Sequence, residues 1–359
     1  MNKKSTPERA SAPSVADVAR EAGVAPSTVS RALTKPGRIA EPTRLKVEAA
    51  ARKLGYMVNQ AARNLRIGQT RTIMVVLPDE LYIGASQTVL EVLRSAAEAM
   101  TARGYSLVIA NVSREAQTDE HILSLAFGGT VSGVLLMATP VPSTAERNLM
   151  QAGLPVVSLH FDMSGQNIPS VISNDSEAIG QAVEALAGLG HTRFLHIRGR
   201  AGNYHDIERL RGVREGLTRS GISPETLQTM QGDFNFSGGV ASGQLYLALA
   251  LQDRPTAVVC ANDDTAVGFI KTVLDGGLDV PGDVSVIGFD GASVGAFMTP
   301  SLSTVQQSTA ELGRQAVELL IGMATGDVTT PPDRIEVPCQ LVLRQSVRAI
   351  TPEDRGHRS

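Results

Sequence analysis

The sequence predicts a multidomain protein that joins an all-α head to an α/β body. Two short helical patterns that meet at Gly23 predict a three-helix head with a helix-turn-helix. From residue 72 onward, short apolar runs alternate with helical patterns, which predicts two doubly wound α/β lobes. The sign of the net charge also changes near residue 72. Residues 1–71 hold 14 Lys and Arg and 5 Asp and Glu, a net charge of +9, and the remainder holds 19 and 31, a net charge of −12.

The first helix of the head is predicted from its cap and its apolar spacing. Ser14 followed by Asp17 matches an N-cap with an acidic residue at the third helical position. Gly23 stands where the chain has to turn sharply. Apolar residues recur between these points at helical spacing, at Val15, Val18, Ala19 and Ala22.

The second helix is predicted to begin at Pro26, because a proline at the first helical position loses no hydrogen bond. Val29, Ala32 and Leu33 are expected to face inward. This leaves an outer face of small polar and basic side chains: Ser27, Thr28, Ser30 and Arg31. The alternative for these residues is an ordinary helical hairpin without a nucleic-acid role.

A third helix and a hinge complete the head. The helix opens at Glu41-Pro42 and closes at Gly55, so the head is assigned to residues 14–57 after a disordered tail of residues 1–13. Residues 58–71 are rich in Asn, Gln, Arg and Gly and have little core of their own. We therefore expect this hinge to be largely disordered without DNA.

The body is assigned to residues 72–346, followed by a tail of residues 347–359. Since ligands of parallel sheets bind beyond the carboxyl ends of the strands, a ligand is expected between the two lobes. Strands are predicted at 72–77, 106–110, 133–137, 155–159, 193–197, 256–260 and 284–289, and helices near 89–100, 145–152, 178–189, 207–220, 239–251 and 265–275.

The chain resembles the lactose-repressor (LacI) family. In the head, residues 17–24, 28–31, 43–47, 54–56 and 59–65 follow that family's patterns D-V-A-x-x-A-G-V, T-V-S-R, T-R-x-x-V, L-G-Y and N-x-x-A-R-x-L. In the body the resemblance continues at 190–191, 209–212, 261–263, 286–290 and 302–305. The cytidine-repressor branch is the most similar, on residues 71–73, 78–79, 232–234 and 339–341.

The resemblance implies a body like the periplasmic sugar-binding proteins, in which the chain crosses between the lobes three times. We place the crossings near Ser173, Gln307 and Arg334. The first lobe then comprises residues 72–173 and 308–334, and the second comprises 174–307 and 335–346.

The resemblance also implies the residues that bind DNA. Ala25 departs from the family, which has a serine there, so Ser27, Thr28 and Arg31 should carry more of the readout. Leu65 resembles the hinge leucine that wedges into the central minor-groove step, with a simple packing residue as the alternative. The full set of candidates is Ser14, Pro26, Ser27, Thr28, Ser30, Arg31, Asn59, Arg63, Leu65 and Arg66.

Ligand-binding residues follow in the same way. Arg209, Asn262 and Asp290 align with family residues that hold the effector, although each could instead be a structural cap or ion pair, and Asn262 could cap the helix after it. His160 replaces a residue that is often a carboxylate in the family. The other candidates are Gln307, Tyr82, Ser86, Gln87 and Phe234, the last of which could equally be a core aromatic.

The sequence lacks the common motifs of enzymes and of metal sites. The chain has no phosphate-binding loop, dinucleotide fingerprint, nucleophile elbow or paired Cys/His metal spacing, so neither catalysis nor a cofactor is expected. Cys260 and Cys339 are expected to be small buried residues rather than a disulfide. With no signal peptide or long apolar run, the chain is expected to be cytoplasmic.

The sequence therefore predicts a homodimeric transcription regulator, most simply a repressor, that binds a palindromic operator under the control of a small sugar, pentose or nucleoside. The alternative is an α/β sugar-binding protein or an enzyme without a DNA-dependent role.

Overall fold

A computed structural model of the protein describes residues 13–34, 36–56, 70–78, 87–112 and 116–350. The chain divides into two compact units, residues 1–70 and 71–359. The first contains the three-helix head, and the second contains the body with both lobes.

The head consists of helices α1 (Val15–Ala22), α2 (Pro26–Thr34) and α3 (Glu41–Leu54), with one 3-10 turn at Pro36–Arg38. The predicted capping box of α1 is confirmed, because the Asp17 amide donates to Ser14 Oγ at 3.3 Å and the Ser14 amide donates to Asp17 Oδ2 at 2.9 Å. Gly23 ends α1 in the left-handed conformation, with φ of +66°, as the predicted turn requires.

Small apolar side chains close the core of the head. Val18, Val29 and Val47 contribute one fully buried side chain from each helix. Alanines at neighbouring positions allow the helices to approach closely. An ion pair of 2.6 Å between Lys53 and Glu21 also joins α3 to α1. The outer face of α2 is therefore presented by a compact, internally closed unit.

The first lobe is built on a six-stranded sheet in the order β11-β5-β4-β3-β1-β2, with every neighbouring pair parallel. Alternate residues of β1 pack into apolar clusters on opposite faces of the sheet, which explains the unbroken apolar run of that strand. Its elements are β1 (Thr72–Leu77), α4 (Gln87–Ala102), β2 (Ser106–Asn111), α5 (Ala116–Phe127), β3 (Gly133–Met137), β4 (Val156–Leu159), β5 (Ser170–Ser173), α11 (Thr309–Thr325) and β11 (Arg334–Val337).

The second lobe has the same design. Its sheet runs β12-β10-β9-β8-β6-β7, and only the edge strand β12 is antiparallel to its neighbour. Its elements are α6 (Asp175–Gly188), β6 (Phe194–Arg198), α7 (Tyr204–Arg219), β7 (Gln228–Gln231), α8 (Phe236–Ala248), β8 (Ala257–Cys260), α9 (Asp263–Asp275), β9 (Ser285–Asp290), α10 (Ser293–Phe297), β10 (Ser303–Gln306) and β12 (Gln340–Val342).

Two predictions for the body are wrong. The third crossing does not lie near Arg334, because residues 334–337 form β11 beside β5 and Val337 is buried in the core of the first lobe. The chain crosses between β11 and β12 instead. No α-helix forms over residues 145–152; a 3-10 turn at Leu149–Ala152 is capped by Asn148 and stopped by Gly153, which leaves room for a single turn.

Two further predictions concern the cysteines and the membrane. Cys260 and Cys339 are both free cysteines in the structure. Cys260 is buried, whereas Cys339 is only half-buried. Across the described ranges, every helix is too short or too polar to cross a membrane.

Candidate sites in the head and in the inter-lobe cleft

The first turn of α2 faces solvent. Pro26, Ser27 and Arg31 are exposed, and Thr28 and Ser30 are half-buried. The backbone bonds of the helix start at Ala25, whose carbonyl accepts from the Thr28 and Val29 amides at 2.8 and 3.1 Å. The exposed side chains of Ser27 and Arg31 are thus accessible to another surface.

Among the described residues of the head, some basic side chains form ion pairs within it, and Arg31 does not. Arg20 pairs with Asp17 at 3.0 Å, and Arg44 pairs with Glu48 at 2.9 Å. Arg31 forms no ion pair with any residue that the structure describes. Its guanidinium is therefore available to an external acceptor such as a phosphate or a guanine edge.

Other candidates of the head are either committed or outside the described residues. The Ser14 hydroxyl donates to Asp17 Oδ2 at 2.7 Å as part of the cap, so its role toward DNA stays a prediction. The four hinge candidates, Asn59, Arg63, Leu65 and Arg66, lie outside the described residues.

A chain of polar contacts runs between the two lobes of the body. Asp175 at its centre begins α6, directly after the first crossing, and its carboxylate is buried. It accepts from Arg209 Nε at 2.8 Å and from His205 Nδ1 at 2.9 Å, and from the Ser173 hydroxyl. Burial raises the pKa of Asp175, but Arg209 and His205 outweigh it and hold the pKa below its usual value.

Arg209 is almost fully buried, with 3% of its surface exposed. Besides Asp175, its guanidinium donates to the Ala261 carbonyl and lies 3.6 Å from Asp290 Oδ1. The guanidinium carbon is 3.7 Å from the centre of the Phe289 ring. Asp175 and Arg209 therefore neutralise each other inside the protein, and Arg209 also orients Asp290.

Asp290 ends β9 in an unusual conformation. Its φ is +115°, which L-residues rarely adopt and which is typical of functional sites. Oδ1 accepts from Gln307 Nε2 at 2.7 Å. Burial raises the pKa of Asp290, and Arg209 and Gln307 partly offset that shift. Two predicted ligand residues, Asp290 and Gln307, are thus brought together with a third, Arg209.

His160 reaches the same chain from the first lobe. It follows β4 with φ of +66°, and its ring centre is 5.7 Å from that of His205. The ring is buried, and Nε2 has no hydrogen-bond partner among the residues that the structure describes. Burial lowers the pKa of His160 to about 3, with a smaller contribution from His205, so the imidazole is neutral at physiological pH.

Asn262 caps α9, as the structural alternative predicted. Its Oδ1 accepts from the Thr265 amide at 3.1 Å and from the Thr265 hydroxyl at 2.6 Å. Its Nδ2 donates to the Phe234 carbonyl at 3.1 Å, which fixes the loop carrying that ring. The Phe234 ring lies 5.8 Å from the Arg209 guanidinium, so it is close to the polar chain.

The remaining ligand candidates are placed differently. Gln87 begins α4 and is exposed, and its Nε2 donates to Ser293 Oγ at 3.0 Å in the opposite lobe and to Glu91 Oε1 at 2.9 Å. Neither partner belongs to the polar chain. Tyr82 and Ser86 lie outside the described residues.

Several residues of the site were not predicted from the sequence. Asp175 and His205 form the centre of the polar chain, and Thr139 follows β3 with a buried, unpartnered hydroxyl. Asp263 is buried and accepts from Thr304 Oγ1 at 2.7 Å and from the Ala292 amide at 2.6 Å, which ties the loop after Asp290 to α9. Burial and the nearby Asp290 raise the pKa of Asp263 to about 8.

A sequence signal existed for His205 and Asp175. His205 stands four residues before Arg209, so the two share one face of α7. Asp175 comes two residues after the end of β5. The predicted ligand residues Asn262 and Asp290 likewise stand at or just after the ends of β8 and β9. No cluster of three His, Cys, Asp or Glu with metal-binding geometry occurs among the described residues.

Comparisons with known proteins cover both units of the chain. Residues 14–59 match the bacterial regulatory proteins of the lacI family, and residues 183–347 match a periplasmic binding protein-like domain. The HTH-type transcriptional repressor CytR of Escherichia coli (strain K12) is 32% identical over 334 residues, which are 93% of this chain and 96% of CytR. The ribose operon repressor of the same strain is 35% identical over 311 residues, which are 86% and 92% of the two chains.

Solved structures give the same result. The lac repressor dimer bound to operator and the anti-inducer ONPF has a TM-score of 0.78 and 26% identity, and the match covers 94% of this chain and 100% of that one. The transcriptional regulator CelR in complex with cellobiose has a TM-score of 0.69 and 28% identity, with 93% and 100% covered.

Proposed function

This chain belongs to the lacI family of bacterial regulatory proteins, and we propose on that premise that it is a transcriptional repressor controlled by a small effector. The head binds DNA sequence-specifically, and a homodimer presents two heads to the two halves of a palindromic operator. The effector is a sugar-like molecule or a nucleoside that binds in the body. The observation that carries the proposal is the exposed first turn of α2, held on a closed three-helix core.

Recognition is divided between two kinds of contact. Ser27, Thr28 and Arg31 lie where short polar side chains and one uncommitted guanidinium can reach base edges in the major groove. The +9 charge of residues 1–71 supplies attraction to phosphates that is independent of sequence. Specificity should therefore follow the residues of α2, and non-specific affinity should follow net charge and salt.

The hinge candidates extend this proposal. We place Asn59, Arg63, Leu65 and Arg66 at the centre of the operator, with Leu65 inserted at the minor-groove step between the two half-sites. Support comes from the sequence alone, since residues 59–65 follow the family pattern N-x-x-A-R-x-L, which ends at Leu65. Ser14 and Pro26 complete the DNA contacts in this proposal, at the exposed ends of α1 and α2.

The effector site is the polar chain between the lobes. In the second lobe, Asp290 ends β9 and Gln307 directly follows β10. His160 belongs to the first lobe, and the buried Arg209 guanidinium orients Asp290. A ligand that contacts both ends is best bound when the lobes are close together. Binding thus biases the relative position of the lobes, which is how an effector can alter the DNA-binding state.

The competing functions lack support of this kind. A transport-type binding protein or an enzyme would share the α/β body but would gain nothing from a basic helix-turn-helix head. The relatives described above are transcriptional repressors, and we extend this to propose that the chain has no enzymatic activity. Because its target is the bacterial chromosome, we place it in the cytoplasm.

Selection of bound sequences from random duplex DNA by the full chain tests the proposal. We expect an inverted repeat, with Arg31→Ala relaxing preference at one position of each half-site. Exposed Arg94→Ala in the body is the matched control and should recover the same repeat as the parent protein. Recovery of no consensus by the parent protein would contradict the proposal.

A further inference from the structure

We propose that the inter-lobe cleft selects uncharged, hydroxyl-bearing effectors and excludes their phosphate esters, with His160 as the contact from the first lobe and Asp264 as the repelling carboxylate. This inference rests on the proposed function, because it names the ligand class of the same cleft.

Among the described residues of the body, five buried side-chain atoms lack hydrogen-bond partners, and three of them lie just beyond the carboxyl end of a strand. The other two, Asp119 Oδ1 and His196 Nε2, lie within α5 and β6. The three at strand ends are Thr139 Oγ1 after β3, His160 Nε2 after β4 and Gln307 Oε1 after β10, and their residues are 2%, 5% and 5% exposed. An unpaired buried polar atom costs about 1–3 kcal/mol, so a partner is to be expected at each. Thr139 and His160 follow two adjacent strands, β3 and β4. Contacts lead from His160 to His205, then through Asp175 and Arg209 to Asp290 and Gln307.

The unpartnered atoms suit hydroxyl or amide groups of a neutral ligand. Gln307 Oε1 is an acceptor and therefore requires a ligand donor. The Thr139 hydroxyl and the neutral His160 ring can each donate or accept. A hydroxyl group has the same versatility, so a polyol can satisfy all three, whereas a fully ionised phosphate offers acceptors only.

The two side chains of the polar chain that could bind a phosphate, Arg209 and His205, already have partners. Arg209 is held by Asp175, the Ala261 carbonyl and Asp290, and His205 is held by Asp175. Buried phosphate groups are normally bound by uncommitted guanidinium, ammonium or backbone N–H donors. Capturing a phosphate here would require Arg209 to abandon a buried carboxylate, which is unfavourable.

The local charge also opposes a phosphate. Asp264 in the first turn of α9 is half-buried and has no hydrogen-bond or ion-pair partner among the described residues. Its helix begins just beyond the carboxyl end of β8, and the neighbouring strand β9 ends at Asp290. Burial together with Asp290 raises the pKa of Asp264 to about 6. At pH 7.5 a phosphate dianion between the lobes would be repelled by Asp264 and Asp290, and the Arg209 guanidinium is already held by Asp175 and Asp290.

Isothermal titration of the full chain at pH 7.5 with matched ligand pairs tests the inference. The probes are D-ribose, cytidine and adenosine, each beside its 5′-phosphate. At least one unphosphorylated probe should bind, and its phosphate should bind at least about 100-fold more weakly. Equal or tighter binding of any phosphate ester would overturn the inference, as would the failure of every unphosphorylated probe to bind.

Two variants assign the roles. Asp264→Asn keeps the shape of the side chain. It should reduce the ratio of the dissociation constants of the phosphate ester and its unphosphorylated partner by roughly tenfold. Asp275→Asn, at the exposed far end of the same helix, should leave the ratio unchanged. If the Asp264→Asn variant has the same ratio of dissociation constants as the parent protein, Asp264 does not repel the phosphate.

His160→Asn keeps a residue that tolerates positive φ, so the backbone should be preserved. It should weaken the unphosphorylated ligand roughly tenfold or more, while exposed His121→Asn on α5 should not. Unchanged affinity would show that His160 is only a core residue. Operator affinity measured without ligand separates a failure of the proposed function from a failure of this inference. A protein that binds its operator but prefers phosphate esters refutes this inference alone.

Discussion

Replacing Asp175 with asparagine should destabilise the body, because it removes the charge that Arg209 and His205 share. The carboxylate is buried and accepts from Arg209 Nε at 2.8 Å and from His205 Nδ1 at 2.9 Å. Breaking a buried ion pair by removing one partner costs roughly 3–5 kcal/mol. Asparagine retains one acceptor oxygen, so the loss should be near the lower end, about 3 kcal/mol.

That loss can be read as a change in melting temperature. For folded units of this size, 1 kcal/mol corresponds to roughly 2–4 °C, so Asp175→Asn should lower the transition of the body by roughly 6–12 °C. Scanning calorimetry of the full chain measures it without requiring tryptophan, which the sequence lacks. The transition of the head should not move, since the head forms a separate compact unit.

The effect should also depend on pH with a definite sign. The folded-state pKa of Asp175 lies below its value in the unfolded chain, because Arg209 and His205 outweigh the opposing effect of burial. The stabilisation is therefore complete above the unfolded pKa of about 3.9 and is lost as pH falls through the folded value. The gap between parent and variant should be constant from about pH 7 to pH 5 and shrink below about pH 4.

Asp162→Asn is the matched control. Asp162 pairs with Arg334 at 3.2 Å, but half of the Arg334 side chain is exposed, so this pair should contribute less than about 1 kcal/mol. If Asp175→Asn lowers the melting temperature no more than Asp162→Asn does, the buried carboxylate does not hold the cleft together as argued.

The other predictions concern the cap, the DNA contacts and the effector. Ser14→Ala should reduce the stability of the head by about 1 kcal/mol in chemical unfolding, and an unchanged midpoint would mean that the capping box contributes little. Arg31→Ala should weaken specific binding by about 1–3 kcal/mol; an equal loss on random DNA, measured by gel shift, would reassign Arg31 to phosphate contact. Asp290→Asn should abolish the effector response without changing operator affinity, and a parental ligand-titration curve would contradict this. Leu65→Ala should reduce operator bending and specific affinity together, whereas bending equal to that of the parent in a FRET assay would make Leu65 a packing residue.

Local signals predicted the head well. The cap at Ser14, the turn at Gly23 and the helix start at Pro26 depend on interactions within one or two turns, and each is confirmed. The unbroken apolar run of β1 likewise depends on burial from both faces, which the composition of the run reveals directly.

Features that depend on distant partners were harder to predict. Asp175 acquires its role from His205 and Arg209, which lie 30 and 34 positions later in the chain, so its place after a strand end does not reveal its partners. The strand Arg334–Val337 is short and mostly exposed, and its pattern does not indicate which sheet it joins. Its register with Ser170–Ser173 decides that, and such pairing arises only in the folded structure.

The polar chain illustrates both cases. Asp290 and Asn262 could be found because each follows a buried strand, but whether a side chain caps a helix or faces a ligand is decided by its neighbours. Asn262 is a cap, bonded to Thr265 and to the Phe234 carbonyl. Asp290 keeps one carboxylate oxygen outside its bond to Gln307, and its contact with a ligand stays a prediction.

The most direct test of the central claim is the ratio of two dissociation constants, measured by fluorescence anisotropy at one salt concentration. One duplex carries the inverted repeat recovered by selection, and the other carries the same bases in scrambled order. A repressor of this type should bind the repeat at least about 1,000-fold more tightly, with two protomers on each duplex. Equal affinities for the two duplexes would show that the basic head binds DNA by charge alone and would contradict the assignment.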